Sequence, residues 1–199
     1  MDIDFATLIP FALITTFSPG PNTLISASMG MQYGYRKTFP FLIGIWTGFV
    51  IVFIGCSLIA TTLAQVIPQF RNILSVIGAI YILWLAYKTY RASYSVEDKL
   101  QKPLGYTNGM VLQVLNPKVI LYGLTIFSTY LVSLPKNIVL FFAAPIIFAT
   151  ISLSATTTWA LFGVGIASFM KNSQAAKIIQ SLLALSLVII AYDMIAILW

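Results

Sequence analysis

The sequence has no histidine, one cysteine (Cys56) and few charged residues, which make up 8% of its 199 residues. Without histidine, metal sites with His ligands and catalysis by a His general base are excluded. One cysteine cannot form a disulfide within the chain, and its apolar neighbours favour a packing role. We also find no nucleophile–base pair, phosphate loop or paired intramembrane carboxylates. We therefore predict a protein that is not an enzyme and uses no metal or cofactor.

Hydrophobic residues dominate instead, at 59% of the chain. A surface this apolar requires lipid as its solvent, and one spanning helix takes about 20 apolar residues. The net charge of +6 would suit nucleic acid in a soluble chain, but here the charges lie in loops, so we predict no nucleic-acid binding. We predict an all-α integral membrane protein with six transmembrane helices, at residues 5–29, 39–65, 73–90, 107–131, 138–165 and 178–199.

Basic residues in the loops predict the orientation of these spans. The first, third and fifth loops carry eight of them, whereas the termini and the other loops carry two, Arg71 and Lys136. The eight are Arg36, Lys37, Lys88, Arg91, Lys99, Lys102, Lys171 and Lys177. Because basic loops stay in the cytoplasm, both termini are expected on the non-cytoplasmic side. The N-terminus lacks a cleavage pattern, so the first segment should remain a span.

Prolines interrupt the first and fourth spans. The motif at 18–22 contains Pro19, Gly20 and Pro21, and the fourth span contains Pro117. Each proline removes a backbone donor and breaks or kinks its helix, so the freed backbone carbonyls and amides must find partners or line a polar cavity. The breaks fall in the first span of each three-span half, which predicts two inverted repeats with a transport site between them. The chain is then one domain, residues 1–199, with halves 1–92 and 104–199 joined by a cytoplasmic loop, 93–103.

Three polar residues beside the breaks are candidate substrate ligands. Asn22 and Asn116 offer the donors and acceptors that an amino-acid zwitterion needs, although they could equally cap the broken helices. Lys118 carries a charge that is costly in a membrane. It could bind a substrate carboxylate or stabilise the helix break, or its side chain could reach the cytoplasmic surface.

Further polar residues lie along the same helices. Tyr122, Thr125 and Thr129 share one helical face and are predicted to line a pathway, unless their hydroxyls bond to the helix backbone. Asp193 is the one acidic residue in a predicted span; it could couple transport to protons or sit at the outer interface. The G-x-x-x-G spacings at 30–34 and 44–48 are interpreted as helix packing.

These motifs resemble the lysine exporter (LysE/RhtB) superfamily of bacterial amino-acid efflux proteins. The matching segments are Ser18-Pro19-Gly20-Pro21-Asn22, Gly30, Gly34, Arg36, Gly44, Gly48 and Leu115-Asn116-Pro117-Lys118. The stretch 118–130 is most similar to the cysteine/O-acetylserine exporter branch. Many members carry an acidic residue just after the second-span G-x-x-x-G, where this chain has Phe49, so the proton carrier is left open.

The resemblance implies a multi-pass protein of the bacterial cytoplasmic (inner) membrane that exports small neutral amino acids such as cysteine and O-acetylserine, with proton antiport. Alternatives are export of a lysine, threonine, homoserine or leucine type of substrate, a passive channel, or a membrane assembly subunit that transports nothing. Association into a homo-oligomer is also left open.

Overall fold

A computed structural model describes residues 5–59, 76, 79–87, 89–90, 103–131, 138–169 and 173–196. All regular secondary structure within these ranges is helical, as the sequence predicts. The helices are α1 (Phe5–Phe17), α2 (Pro21–Tyr33), α3 (Tyr35–Ile59), α4 (79–87), α5 (Tyr106–Val114), α6 (Pro117–Thr125), α7 (Ile138–Phe169) and α8 (Ser173–Ala196), with a π-helical turn at Ile126–Tyr130 between α6 and α7.

Among the described ranges, two helices are long and apolar enough to cross a membrane unaided, within α3 and α7. A third span forms if α5 and the helix after it are taken together, although the pair is bent by 60°. Shorter apolar helices occur at Phe5–Phe17 and Lys177–Tyr192. Large apolar side chains such as Ile14 and Val139 are 70% exposed. These features agree with a lipid-embedded helical protein, while the six-span inverted repeat stays a prediction.

The first break separates α1 from α2. Helix α1 ends at Phe17 and α2 begins at Pro21, which occupies the first helical position, where its missing N–H is not needed. The hydroxyl of Thr23 accepts a 2.9 Å hydrogen bond from the Gly20 N–H and donates one of 3.0 Å to the Gly20 carbonyl. One side chain thereby satisfies both backbone groups of the residue that caps α2.

The second break separates α5 from α6. Helix α5 ends at Val114 and α6 begins at Pro117, again with proline at the first helical position. Asn116 caps α6, because its side-chain oxygen accepts a 3.1 Å hydrogen bond from the Lys118 N–H. Both breaks are therefore ordered helix ends with local hydrogen-bond partners.

Glycines bring two pairs of helices into backbone contact. Where α2 packs on α7, a Cβ at Gly30 would overlap the Ala160 carbonyl, and a Cβ at Gly163 would overlap that of Ala27. Where α3 packs on α5, a Cβ at Gly44 would overlap the Tyr106 carbonyl. Gly48 lies against the same helix, with Met110 O 2.8 Å from the position of a Cβ. The prediction that Gly44 and Gly48 serve close helix packing is confirmed.

Some predicted boundaries are wrong. The turn predicted after the first span is nearly all helical, because α2 continues to Tyr33 and α3 starts at Tyr35. Gly34 alone separates them, with a φ of +76° that only glycine adopts easily. A Cβ there would meet no atom within 4 Å, so Gly34 shapes the turn and does not pack between helices. The predicted loop 171–177 is likewise helical from Ser173 onward.

Candidate functional site

A cavity of about 30 Å³ lies where the two breaks meet. Phe49 and Ser152 line it from α3 and α7. At about 1.5 Å per residue, Ser152 lies roughly 21 Å and 26 Å from the two ends of α7. The cavity is therefore near the middle of the longest helix. Its lining consists of Thr15, Thr16, Ser18, Gly20, Pro21, Asn22, Thr23, Phe49, Asn116, Lys118, Val119, Tyr122 and Ser152.

Three amide side chains connect the two broken helices. Asn22 donates a 3.0 Å hydrogen bond from Nδ2 to Oε1 of Gln113, and Asn116 donates one of 3.3 Å to Oδ1 of Asn22. Asn116 is 2% exposed and Gln113 is fully buried. Because buried amides are stable only when they are hydrogen-bonded, this chain of contacts fixes the two breaks relative to each other. Asn22 and Asn116, both predicted from sequence, are brought together here.

Lys118 reaches across to the other broken helix. Its Nζ donates a 2.8 Å hydrogen bond to the Ser18 hydroxyl, which in turn donates to the Thr15 carbonyl at 2.9 Å. The same Nζ lies 3.4 Å from where a Cβ of Gly20 would be, so a larger residue at position 20 would crowd the amine. The Lys118 side chain therefore lines the cavity and contacts the end of the other broken helix.

The helix ends around the cavity add partial charges of both signs. The N-termini of α2 and α6 lie at the cavity and carry partial positive charge, whereas the C-terminus of α1 carries partial negative charge. The Phe17 carbonyl at that C-terminus accepts a 3.2 Å hydrogen bond from Nε1 of Trp159. Among the residues lining the cavity Lys118 is the only charged one. The cavity is therefore suited to a small anion or a zwitterion that supplies a carboxylate.

Tyr122 and Thr125, both predicted to bind substrate, are placed differently. Tyr122 lines the cavity and is 5% exposed. Thr125 is not among the lining residues, and its hydroxyl donates a 2.9 Å hydrogen bond to the Leu121 carbonyl of its own helix. That backbone bond is the alternative considered for these hydroxyls. The side chain of Thr129 lies outside the described part of the structure.

The remaining predicted residues are only partly in the cavity. Gly20 and Pro21 line it, whereas Pro19 and Pro117 shape the breaks without contributing to the lining. Asp193 is in α8, and its side chain is outside the described part. Cys56 is 3% exposed, and its Sγ would lie 2.9 Å from a Cβ at Gly123, as expected of a packing thiol.

Gln113 is the main site residue that the sequence prediction missed. It lies in α5, three positions before Asn116, in an otherwise apolar stretch. A lone glutamine in such a stretch is costly unless it has a polar partner, which is a signal that could have identified it. Thr16 and Ser152 were also missed, because single hydroxyls in membrane helices commonly bond to their own backbone.

The chain is similar to known efflux proteins over most of its length. It is 35% identical to the cysteine/O-acetylserine efflux protein of Salmonella typhimurium strain LT2 over 153 residues, which is 77% of this chain and 78% of that protein. Identity to the protein of the same name from Escherichia coli O9:H4 strain HS is 36% over 154 residues, 77% and 78% of the two chains. Identity to the protein of the same name from Klebsiella pneumoniae strain MGH 78578 is 30% over 158 residues, which is 79% of this chain and 81% of that protein.

No solved structure gives a significant match to this chain. The sequence profile described as "LysE type translocator" matches residues 13–196, which include both helix breaks and every residue that lines the cavity. This coverage agrees with the resemblance that the proline motifs indicate. The chain belongs to the LysE type translocator family.

Proposed function

We propose that this protein exports small neutral amino acids, cysteine and O-acetylserine among them, across the bacterial cytoplasmic membrane. The observation that carries the proposal is the hydrogen bond between Asn22 and Asn116, which joins two broken helices at a cavity near the middle of the fold. Interrupted helices that meet in this way typically bind substrate in secondary transporters. The relatives that bear the efflux name supply the substrate class.

The cavity suggests how a zwitterion binds. Its carboxylate would pair with Lys118 and with the N-termini of α2 and α6, since all three contribute positive charge. Its ammonium would bind the amide oxygen of Asn22 and the carbonyl end of α1. This orientation would leave the substrate side chain toward Tyr122 and Phe49, which also line the cavity.

Alternating access between two inverted three-helix halves would move the substrate. Glycine-mediated contacts pack α2 on α7 and α3 on α5 tightly, whereas α1 and α6 make less extensive contacts with α7 and α3. This asymmetry supports a state closed at the end where α2 and α5 lie. With the orientation predicted from the basic loops, that end is cytoplasmic and the opening faces outward.

Proton antiport is the coupling that we propose. Among the described residues no carboxylate lines the cavity, and Phe49 occupies the position where the family resemblance leads us to expect an acid. Asp193 is the candidate proton carrier, because it is the one acidic residue in a predicted span. A homo-oligomer is compatible with this arrangement, but the cavity is formed within one chain.

Reconstitution of the purified chain tests the proposal. Proteoliposomes with an acidic interior should accumulate labelled, reduced cysteine above the external concentration, because outward proton flow would drive uptake. Equilibration without accumulation would indicate a passive channel, and no uptake of any amino acid would favour an assembly subunit. Collapse of the pH gradient with a protonophore should abolish accumulation.

Replacing Lys118 with methionine should weaken cysteine binding without lowering the stability of the protein. We expect the KM for cysteine to rise at least about tenfold, because one charge-assisted hydrogen bond to the carboxylate is lost. Thermal stability in detergent should stay equal or increase, since an intramembrane charge costs about 2.5–3.5 kcal/mol on insertion scales. The measurements are uptake kinetics and thermal unfolding of the purified variant.

Lys177→Met is the matched control, because Lys177 is an exposed lysine of α8 that lies away from the cavity. Its KM should equal that of the wild type. If Lys118→Met instead unfolds at a much lower temperature and retains the KM of the wild type, Lys118 stabilises the helix break and does not bind substrate.

A further inference from the structure

Buried polar atoms without hydrogen-bond partners are concentrated at the cavity. Among the described residues three such side-chain atoms occur: Thr16 Oγ1, Tyr122 OH and Gln113 Nε2. Thr16 and Tyr122 line the cavity, and Gln113 bonds to Asn22, which also lines it. Buried polar groups nearly always have a partner, so such atoms around a single cavity point to a polar ligand.

The two hydroxyls form a distinct part of the lining. Thr16 and Tyr122 are close enough to interact, yet their hydroxyls do not reach hydrogen-bond geometry with each other. Hydroxyls can both donate and accept, so this pair could bind a thiol, a hydroxyl or an ester oxygen. A ligand atom bound there would satisfy both groups.

Aromatic packing holds the Tyr122 ring in place. Its ring centroid is 5.3 Å from that of Phe53, 5.8 Å from Phe11, 6.0 Å from Phe148 and 6.2 Å from Phe49. Close packing by these rings opposes the change in χ1 that would move the hydroxyl away from the cavity. The Tyr122 hydroxyl is therefore preorganised at the cavity, next to the apolar wall formed by Phe49.

The cavity lining contains two kinds of polar group. Lys118, Asn22 and Asn116 present the charge and amides that suit the groups common to all amino acids. Thr16 and Tyr122 present two hydroxyls, and the Phe49 ring lies near that of Tyr122. These hydroxyls can distinguish one amino-acid side chain from another.

We infer that the hydroxyls of Thr16 and Tyr122 form the subsite for the polar atom of the substrate side chain. The subsite selects small side chains with a thiol, hydroxyl or ester oxygen over apolar side chains of the same size. An apolar analogue would leave both buried hydroxyls without a partner, and sites of this kind reject such analogues strongly. This inference rests on the proposed export function and specifies its selectivity.

The test compares two inhibitors of labelled cysteine uptake into proteoliposomes: unlabelled cysteine and 2-aminobutyrate, which carries a methyl group in place of the thiol. We expect the wild type to bind cysteine at least about tenfold more tightly. In Tyr122→Phe and in Thr16→Val, the ratio of the inhibition constants for 2-aminobutyrate and cysteine should fall toward one, because cysteine inhibits more weakly. Asn22→Ala should weaken both inhibitors equally, because Asn22 is expected to contact the common part of the molecule.

The outcomes distinguish this inference from the proposed function. A wild type that takes up cysteine but does not discriminate between the inhibitors would overturn the subsite while export stands. An unchanged ratio in both Tyr122→Phe and Thr16→Val would also overturn it. If the wild type transports no amino acid at all, the proposed function fails first. Because Thr16 and Tyr122 lie on different helices, the test remains decisive if one of the two variants misfolds.

Discussion

Replacing Asn22 with alanine is expected to reduce cysteine transport per inserted molecule at least about tenfold. The Asn22 side chain is the central member of the amide chain, donating to Gln113 and accepting from Asn116. Its removal leaves Gln113 Oε1 and Asn116 Nδ2 without partners in a buried setting, at about 1–3 kcal/mol for each such group. A cavity with misplaced amides should bind the zwitterion weakly.

Transport by the purified variant in proteoliposomes measures this effect, with the amount of inserted protein determined in parallel. Asn108→Ala is the matched control. Its side chain accepts a 3.1 Å hydrogen bond from the Gly105 N–H at the start of α5, and it is not part of the cavity lining. The control should lose about 1 kcal/mol of stability and keep its transport rate. Equal losses of transport in Asn22→Ala and Asn108→Ala would show that Asn22 has no specific role in substrate binding.

Replacing Gly44 with alanine should lower the stability of the protein markedly. The added Cβ would overlap the Tyr106 carbonyl, so α3 and α5 would have to separate along their whole contact. Overpacking of this kind costs about 1–3 kcal/mol or more, and close approach of small residues is what holds membrane helices together. We expect thermal unfolding in detergent at least about 5 °C below the wild type, with transport largely lost.

Gly55→Ala provides the comparison on the same helix. Nothing lies within 4 Å of a Cβ at Gly55, so the same methyl group enters open space. This variant should be as stable as the wild type or more so, because alanine is the better helix former. If Gly44→Ala and Gly55→Ala unfold at the same temperature, the close contact between α3 and α5 is not important for stability.

The helix breaks could be expected from sequence because their cause is local. Proline lacks a backbone donor and clashes with the preceding helical turn, which favours a break at Pro21 and Pro117. Proline alone does not dictate a break, since three other prolines lie within the continuous helices α1, α3 and α7. The structure places both prolines at the first position of the helix after the break. The helix-packing role of Gly44 and Gly48 could also be predicted, since their spacing puts both on one face of a helix.

The partners across the cavity could not be expected in the same way. Asn22 and Gln113 are 91 positions apart, and Lys118 and Ser18 are 100 apart, so their contacts depend on how the helices pack. The spacing of polar residues identifies one face of a helix, but it does not identify the residues on other helices that this face contacts. Thr125 illustrates the limit, because its spacing from Tyr122 suggests a shared face, yet its hydroxyl bonds to Leu121.

Polar residues misled the prediction of loops for a physical reason. The gap between the first two predicted spans contains Tyr33, Tyr35 and Arg36. Their polar or amphipathic side chains also suit a helix end at a membrane interface. Only Gly34, with its positive φ, is required by the turn. The conformational demand of the backbone, and not polarity, determines where α2 ends and α3 begins.

In the proposed mechanism the two helix breaks form one shared substrate site. A double-mutant cycle on transport of cysteine tests it, using Asn22→Ala, Asn116→Ser and the double variant; serine retains the N-cap of α6 but removes the amide bonded to Asn22. If both amides serve one site, the double variant should lose little more transport than either single variant. Losses that multiply in the double variant, or full transport in both single variants, would contradict a shared site.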